Sequence, residues 1–164
     1  MKKILFATSE AVPFIKTGGL ADVVGSLPKA FNKEEFDVRV VLPKYRVIPE
    51  YFHQQMEYMT NFYINLAGRM IYVGVFQMVL DGVTFYFIDN EYYFNGFKPY
   101  CDNALFEIEK FAFFSKAALS ILPVIGFKPD LIHCHDWQTG LIPVYLHERF
   151  AGGEFYRGIK TVMT

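Results

Sequence analysis

The sequence predicts an α/β fold, a parallel sheet flanked by helices with an added β-meander or hairpin. Three observations carry this. Short apolar runs at Ile4–Ala7, Val38–Leu42, Leu131–Cys134 and Ile159–Met163 alternate with segments of helical spacing. Between the second and third runs lies an aromatic, β-branched stretch interrupted by Asp81-Gly82, a strong hairpin signal. The chain is also long and apolar enough for one packed core, with 164 residues of which 52% are hydrophobic and 18% aromatic, so disorder is excluded.

Ile4–Ala7 is too short for a helix and reads as a buried strand ended by Thr8-Ser9-Glu10. After Gly18-Gly19, residues Leu20, Val23, Val24 and Leu27 recur at helical spacing, with Asp22 in the favourable first turn. Pro28 is expected to end or kink that helix. Val38–Leu42 is the second strand, so strand, helix and strand form a βαβ unit with a right-handed crossover. Phe62–Ala67, Met70–Leu80 and Val83–Ile88 read as a meander inserted in the sheet or added to its edge. Leu105–Ile125 is a long helix with a face of Phe111, Phe113 and Phe114, stopped by Gly126. Leu131–Cys134 is another strand. Thr139 is a candidate cap for a helix carrying Leu141, Val144 and Tyr145, which ends near Gly152-Gly153. Ile159–Met163 starts a further strand. A Rossmann-like domain continues into a helix at such a point, so more chain is expected after Thr164.

The bulk numbers exclude several classes. Sixteen basic and 17 acidic residues leave a net charge of −1, with no basic patch for nucleic acid or an anionic membrane. No apolar stretch approaches the ~20 residues that span a bilayer. Met1-Lys2-Lys3 resembles the start of a secretion signal, but the apolar run behind it is only Ile4–Ala7. Cys101 and Cys134 suggest no disulfide framework. A reducing cytoplasm is expected.

Two segments carry chemistry. Lys16-Thr17-Gly18-Gly19-Leu20-Ala21-Asp22 puts two glycines and a lysine before a helix. Glycines let backbone approach a ligand, helix-start N–H groups attract phosphate, and lysine adds a full charge. This is neither a Walker loop nor a G-x-G-x-x-G fingerprint, and a plain glycine turn with a solvated lysine competes with the ligand reading. The second segment, His133-Cys134-His135-Asp136-Trp137-Gln138-Thr139-Gly140, leaves a strand at the same sheet edge. His133 and His135 share a strand face, yet no further ligand has useful spacing, so no metal is expected. Imidazole and carboxylate suit sugar hydroxyls, and Trp137 suits an apolar sugar face. For His133, read as the deeper of the two, a core role is preferred. Asp102 and Asn103 both offer caps for the long helix. Nothing near Cys101 argues for a lowered pKa.

These segments resemble the amino-terminal domain of glycogen and starch synthases, retaining glycosyltransferases of the two-domain GT-B architecture. The resemblance rests on Lys16-Thr17-Gly18-Gly19-Leu20-Ala21-Asp22-Val23, Phe114-Ser115-Lys116-Ala117-Ala118-Leu119 and His135-Asp136-Trp137-Gln138-Thr139-Gly140-Leu141. Their order and spacing match the family, and the likeness covers residues 1–164. It implies an acceptor-side Rossmann-like domain that faces a carboxyl-terminal nucleotide-binding domain absent from this chain. ADP-glucose is then the donor and an α-1,4-glucan, glycogen or a maltooligosaccharide, the acceptor, with no cofactor. By the same resemblance, Lys16 contacts the donor diphosphate with Thr17, Gly18 and Gly19 beside it. Asp22 lies at the acceptor edge, His135 beside the transferred glucose, and Asp102 near the active site. The family runs from Asp-Asn-Ala straight into Glu-Arg-Phe. Here Leu105-Phe106-Glu107-Ile108 stands as an insertion, with Lys110 in place of the arginine. A single Asp at Asp81-Gly82 makes no D-x-D metal clamp. Another GT-B transferase and a non-catalytic carbohydrate-binding module remain alternatives, and a dinucleotide binder is disfavoured by the missing glycine fingerprint.

Overall fold

The computed structural model describes all 164 residues. The strands are β1 (Lys2–Ala7), β2 (Phe36–Pro43), β3 (Glu57–Leu66), β4 (Arg69–Leu80), β5 (Val83–Asp89), β6 (Leu131–Cys134) and β7 (Lys160–Met163). The helices are α1 (Gly19–Ala30), α2 (Glu50–His53), α3 (Glu91–Phe94), α4 (Ala104–Val124) and α5 (Leu141–Tyr145). All seven strands form one sheet in the order β3-β4-β5-β2-β1-β6-β7. From β5 to β7 every pairing is parallel. The β3–β4 and β4–β5 pairings are antiparallel. The meander therefore sits at the sheet edge, and its third strand doubles as a member of the parallel sheet. No helix is long and apolar enough to cross a membrane.

Burial follows from this order. Leu5, Phe6, Ala7, Val40, Val41 and Leu42 are fully buried, because helices cover both faces of the central strands and demand a continuous apolar run. At the edge, β3 is mostly exposed and buries only Ile64 and Leu66. Both hairpins turn on two residues with positive φ, Ala67-Gly68 at 51° and 81° and Asp81-Gly82 at 52° and 74°. The second was legible as Asp-Gly. The first was not, since alanine is a poor choice for that conformation.

Two helix faces differ from expectation. In α1 the buried residues are Ala21, Val24, Gly25 and Pro28, while Val23 and Leu27 are exposed. Small residues face the sheet here because α1 lies very close to the loop after β1: a Cβ on Gly25 would sit 2.1 Å from Val12 Cγ2. Pro28 does not end the helix at once, and the helix runs on for two residues to Ala30. In α5 the buried residue is Ile142, followed by Leu146, and Leu141 and Val144 are exposed. A π turn at Leu146–Phe150 extends α5 before Gly152-Gly153.

Helix α4 matches its expected span. Asn103 supplies the cap, accepting from the Phe106 N–H at 3.1 Å, and Asp102 has no capping role. Phe111, Phe113 and Phe114 are buried, and Phe113 stacks on Tyr93 at 4.8 Å. The residues expected as an insertion, Leu105–Ile108, lie at the start of α4.

Candidate functional site

The chain runs outward from β1 through β2 to β5, then returns to β6 on the other side of β1. Ligands of open α/β sheets bind at such a reversal, beyond the carboxyl ends of the two flanking strands. The two segments singled out in the sequence follow those strands. The loop to α1 leaves β1, and His135 to Gly140 leave β6, with His135 N–H bonded to Ala7 O at 3.0 Å. The two segments thus leave adjacent strands at the same edge of the sheet.

Lys16 and Asp22 are both about half exposed and form an ion pair, with Nζ 2.8 and 2.7 Å from the carboxylate oxygens. Such an exposed pair contributes under about 1 kcal/mol. Gly18 is extended, and a Cβ on Gly18 or Gly19 would meet nothing within 4 Å. Neither steric packing nor positive φ requires these glycines, which weakens the plain-turn reading and leaves open space in front of the loop. No side chain caps α1, so its first N–H groups lack partners. The expectation of freely available loop amides holds only in part. Thr17 N–H and Gly18 N–H are already bound by the Glu10 carboxylate.

At β6 the expected depth order is reversed: His135 is 2% exposed and His133 only half-buried. His133 lies in β6 opposite Val162 of the edge strand β7, His135 lies just past the strand, and Phe6 on β1 packs against both rings, 4.9 Å from His133. Their rings stack at 4.0 Å, and Phe6 lies 5.2 Å from His135. The Thr164 hydroxyl is 3.0 Å from His133 Nε2 and 3.3 Å from His135 Nδ1. His135 Nε2 has no partner. Burial, followed by the neighbouring His133, pushes His135 down to about 4, so it is neutral near pH 7. Asp136 adopts φ 61° and ψ 176°, a conformation costly for any residue but glycine. Its carboxylate caps the next turn by accepting from Trp137 N–H at 2.7 Å. Thr139, expected as the cap, instead donates to the carbonyls of His135 and Asp136.

Trp137 is 52% exposed and meets Phe111 edge-on at 5.3 Å. With Asp102, Tyr100 and Gln138 it lines a cleft of about 360 Å³. Tyr100 joins this cleft to the Lys16 loop, because its hydroxyl donates to Glu10 at 2.6 Å. Burial pushes the Tyr100 hydroxyl up, and its bond to Glu10 adds to this. Burial also pushes Glu10 up, but its hydrogen bonds from Thr17, Tyr100 and Gly18 together outweigh that and hold it below the ordinary carboxylate range. Sequence reasoning passed over Glu10 and Tyr100. Ninety residues separate them, and no local pattern marks a carboxylate whose partners lie on two distant loops. A further polar cleft of about 260 Å³, lined by Lys44, Arg46, Asp89 and Asn90 among others, opens beyond β2 and β5 at the same edge.

This geometry agrees with the likeness to known proteins. The family described as starch synthase catalytic domain matches residues 3–164. A glycogen synthase of Lachnospira eligens is 68% identical over 100% of this chain, which covers 34% of that relative. Another, of Lachnoclostridium phytofermentans, is 62% identical with the same coverage. Among solved structures, the catalytic domain of starch synthase IV from Arabidopsis thaliana, bound to ADP and acarbose, superposes with a TM-score of 0.85 at 27% identity. The match covers 99% of this chain and 33% of that one. The chain spans about a third of the length of the curated relatives it matches. With nearly its whole length matched and its fold shared, the chain belongs to the starch synthase catalytic domain family.

Proposed function

We propose that this chain is the acceptor-side domain of a cytoplasmic, retaining glucosyltransferase that moves glucose from ADP-glucose to the non-reducing 4-hydroxyl of an α-1,4-glucan. The observation that carries the reading is that the Lys16 loop and the His135 edge leave the adjacent strands β1 and β6 at the reversal of strand order. Three features support it. Lys16 is held only by a weak, exposed pair, and space is open before Gly18 and Gly19. His135 is buried and neutral, with a ring nitrogen that a sugar hydroxyl would satisfy. Trp137 and Asp102 face one cleft, which suits a sugar ring with its apolar face and its hydroxyls.

In this mechanism the anomeric carbon gains oxocarbenium character as the diphosphate departs. Lys16 and the uncapped amides at the start of α1 stabilise the leaving charge, and Thr17, Gly18 and Gly19 set its distance. Asp22 exchanges its lysine for the acceptor edge. His135 orients the transferred glucose without carrying charge, and Asp102 lies on the acceptor side beside Trp137. A second domain, beyond these residues, closes over the nucleotide and excludes water. The test is glucosyl transfer to glycogen by the full-length protein, offered ADP-glucose or UDP-glucose. Faster transfer from ADP-glucose is expected. Transfer from neither donor refutes the reading.

A further inference from the structure

We propose that Glu10 is a positioning residue which, through Tyr100, locks the Lys16–Gly19 loop and the loop carrying Asp102 into a single rigid unit. The inference deepens the function proposed above and rests on it. Glu10 is 3% exposed, yet it touches both loops. Its Oε1 accepts the Thr17 hydroxyl and the Tyr100 hydroxyl, each at 2.6 Å. Its Oε2 accepts Thr17 N–H and, at 3.3 Å, Gly18 N–H. Four donors thus fill the four acceptor positions of one carboxylate. Because the Tyr100 proton goes to Glu10, the Ser9 hydroxyl 2.8 Å away must donate to Tyr100.

Tyr100 is itself held on both sides. Lys110, 2% exposed, donates to Pro99 O at 2.7 Å. Its partner Glu107 accepts Cys101 N–H at 3.1 Å. Tyr100 cannot shift without disturbing a buried ion pair whose rupture leaves an uncompensated charge. The path therefore runs unbroken from the start of α4, through Tyr100 and Glu10, to the amides beside Lys16.

A carboxylate in a buried place is costly and is retained where every lone pair is used. Glutamine offers one acceptor oxygen and would leave donors on one of the two loops unpaired. By occupying the Thr17 and Gly18 amides, Glu10 also leaves an incoming diphosphate only the amides at the start of α1. That sets both the height and the direction from which the anion meets Lys16.

The test uses the full-length protein with Glu10→Gln, Tyr100→Phe and the double variant. Its readouts are kcat, donor KM and acceptor KM, together with amide hydrogen exchange at Thr17 and Gly18. Misplacing a reacting group by about 1 Å costs on the order of 100-fold in rate, so Glu10→Gln is expected to lower kcat about 10- to 100-fold. Tyr100→Phe is expected to lower it less, the double variant no further than Glu10→Gln alone, and both loop amides to exchange faster. Folded single variants with wild-type kcat and donor KM would overturn the proposal. So would fold-changes that simply multiply in the double variant. If the wild-type protein transfers no glucose, the function proposed above fails, and exchange still decides the coupling: unaltered protection in both single variants sinks it.

Discussion

At the scale of the residue, the site combines weakly held and strongly held groups. Lys16 is the weakly held one, with an exposed pair to Asp22. Replacing it with alanine in the full-length protein is expected to raise the donor KM and slow turnover while moving stability by under about 1 kcal/mol. Steady-state kinetics beside a urea melt check this, and unchanged kinetics would remove Lys16 from the site. His135 is the strongly held one. Its pKa falls from 6.5 unfolded to about 4 folded, so between those values the unfolded state binds more protons. Stability contributed by neutral His135 is therefore complete above pH 6.5 and lost as pH falls towards 4. Half-buried His133, also pushed down by burial, acts in the same sense. Glu10, held low, acts only below its usual 4.5. Denaturant melts from pH 4.5 to 7 are expected to show a rising slope that His135→Gln flattens. The full effect is on the order of 2–3 kcal/mol.

At the scale of the element, apolar runs and hairpin dipeptides were readable because they obey local rules. Asp81-Gly82 was visible for that reason, and Ala67-Gly68 was hidden because alanine there breaks the rule. Ala67→Asn creates the preferred Asn-Gly turn and is expected to raise stability by about 0.5–1 kcal/mol, read as a higher denaturation midpoint. The inward faces of α1 and α5 were misread since apolar residues lie on both sides of these helices, and only close approach distinguishes them. Gly25 makes that approach in α1. Gly25→Ala is expected to cost about 1–3 kcal/mol by forcing α1 off Val12, with the loss measured in the same melts.

At the scale of the whole molecule, the accessible surface is 8227 Å². A compact monomer of 19.0 kDa is expected to expose about 8,400 Å². The core is thus closed within these residues, whereas the proposed donor site needs a second domain. Residues 1–164 expressed alone are expected to unfold cooperatively and to transfer no glucose. Measurable transfer by that piece would defeat the two-domain mechanism.

The sequence by itself determined the α/β class, the parallel strands, the Asp81-Gly82 hairpin and the long helix α4, and it singled out the two loops on which the proposed function rests. Each of these depends on periodicity or on residues within a few positions of one another. Tertiary structure alone decided that β5 joins both the meander and the parallel sheet, that His135 is deeper than His133, and that Glu10 meets Tyr100. These depend on which strands become neighbours and on burial from both faces. Such relations link residues far apart in the chain, 90 positions in the case of Glu10 and Tyr100, where spacing along the chain carries no signal.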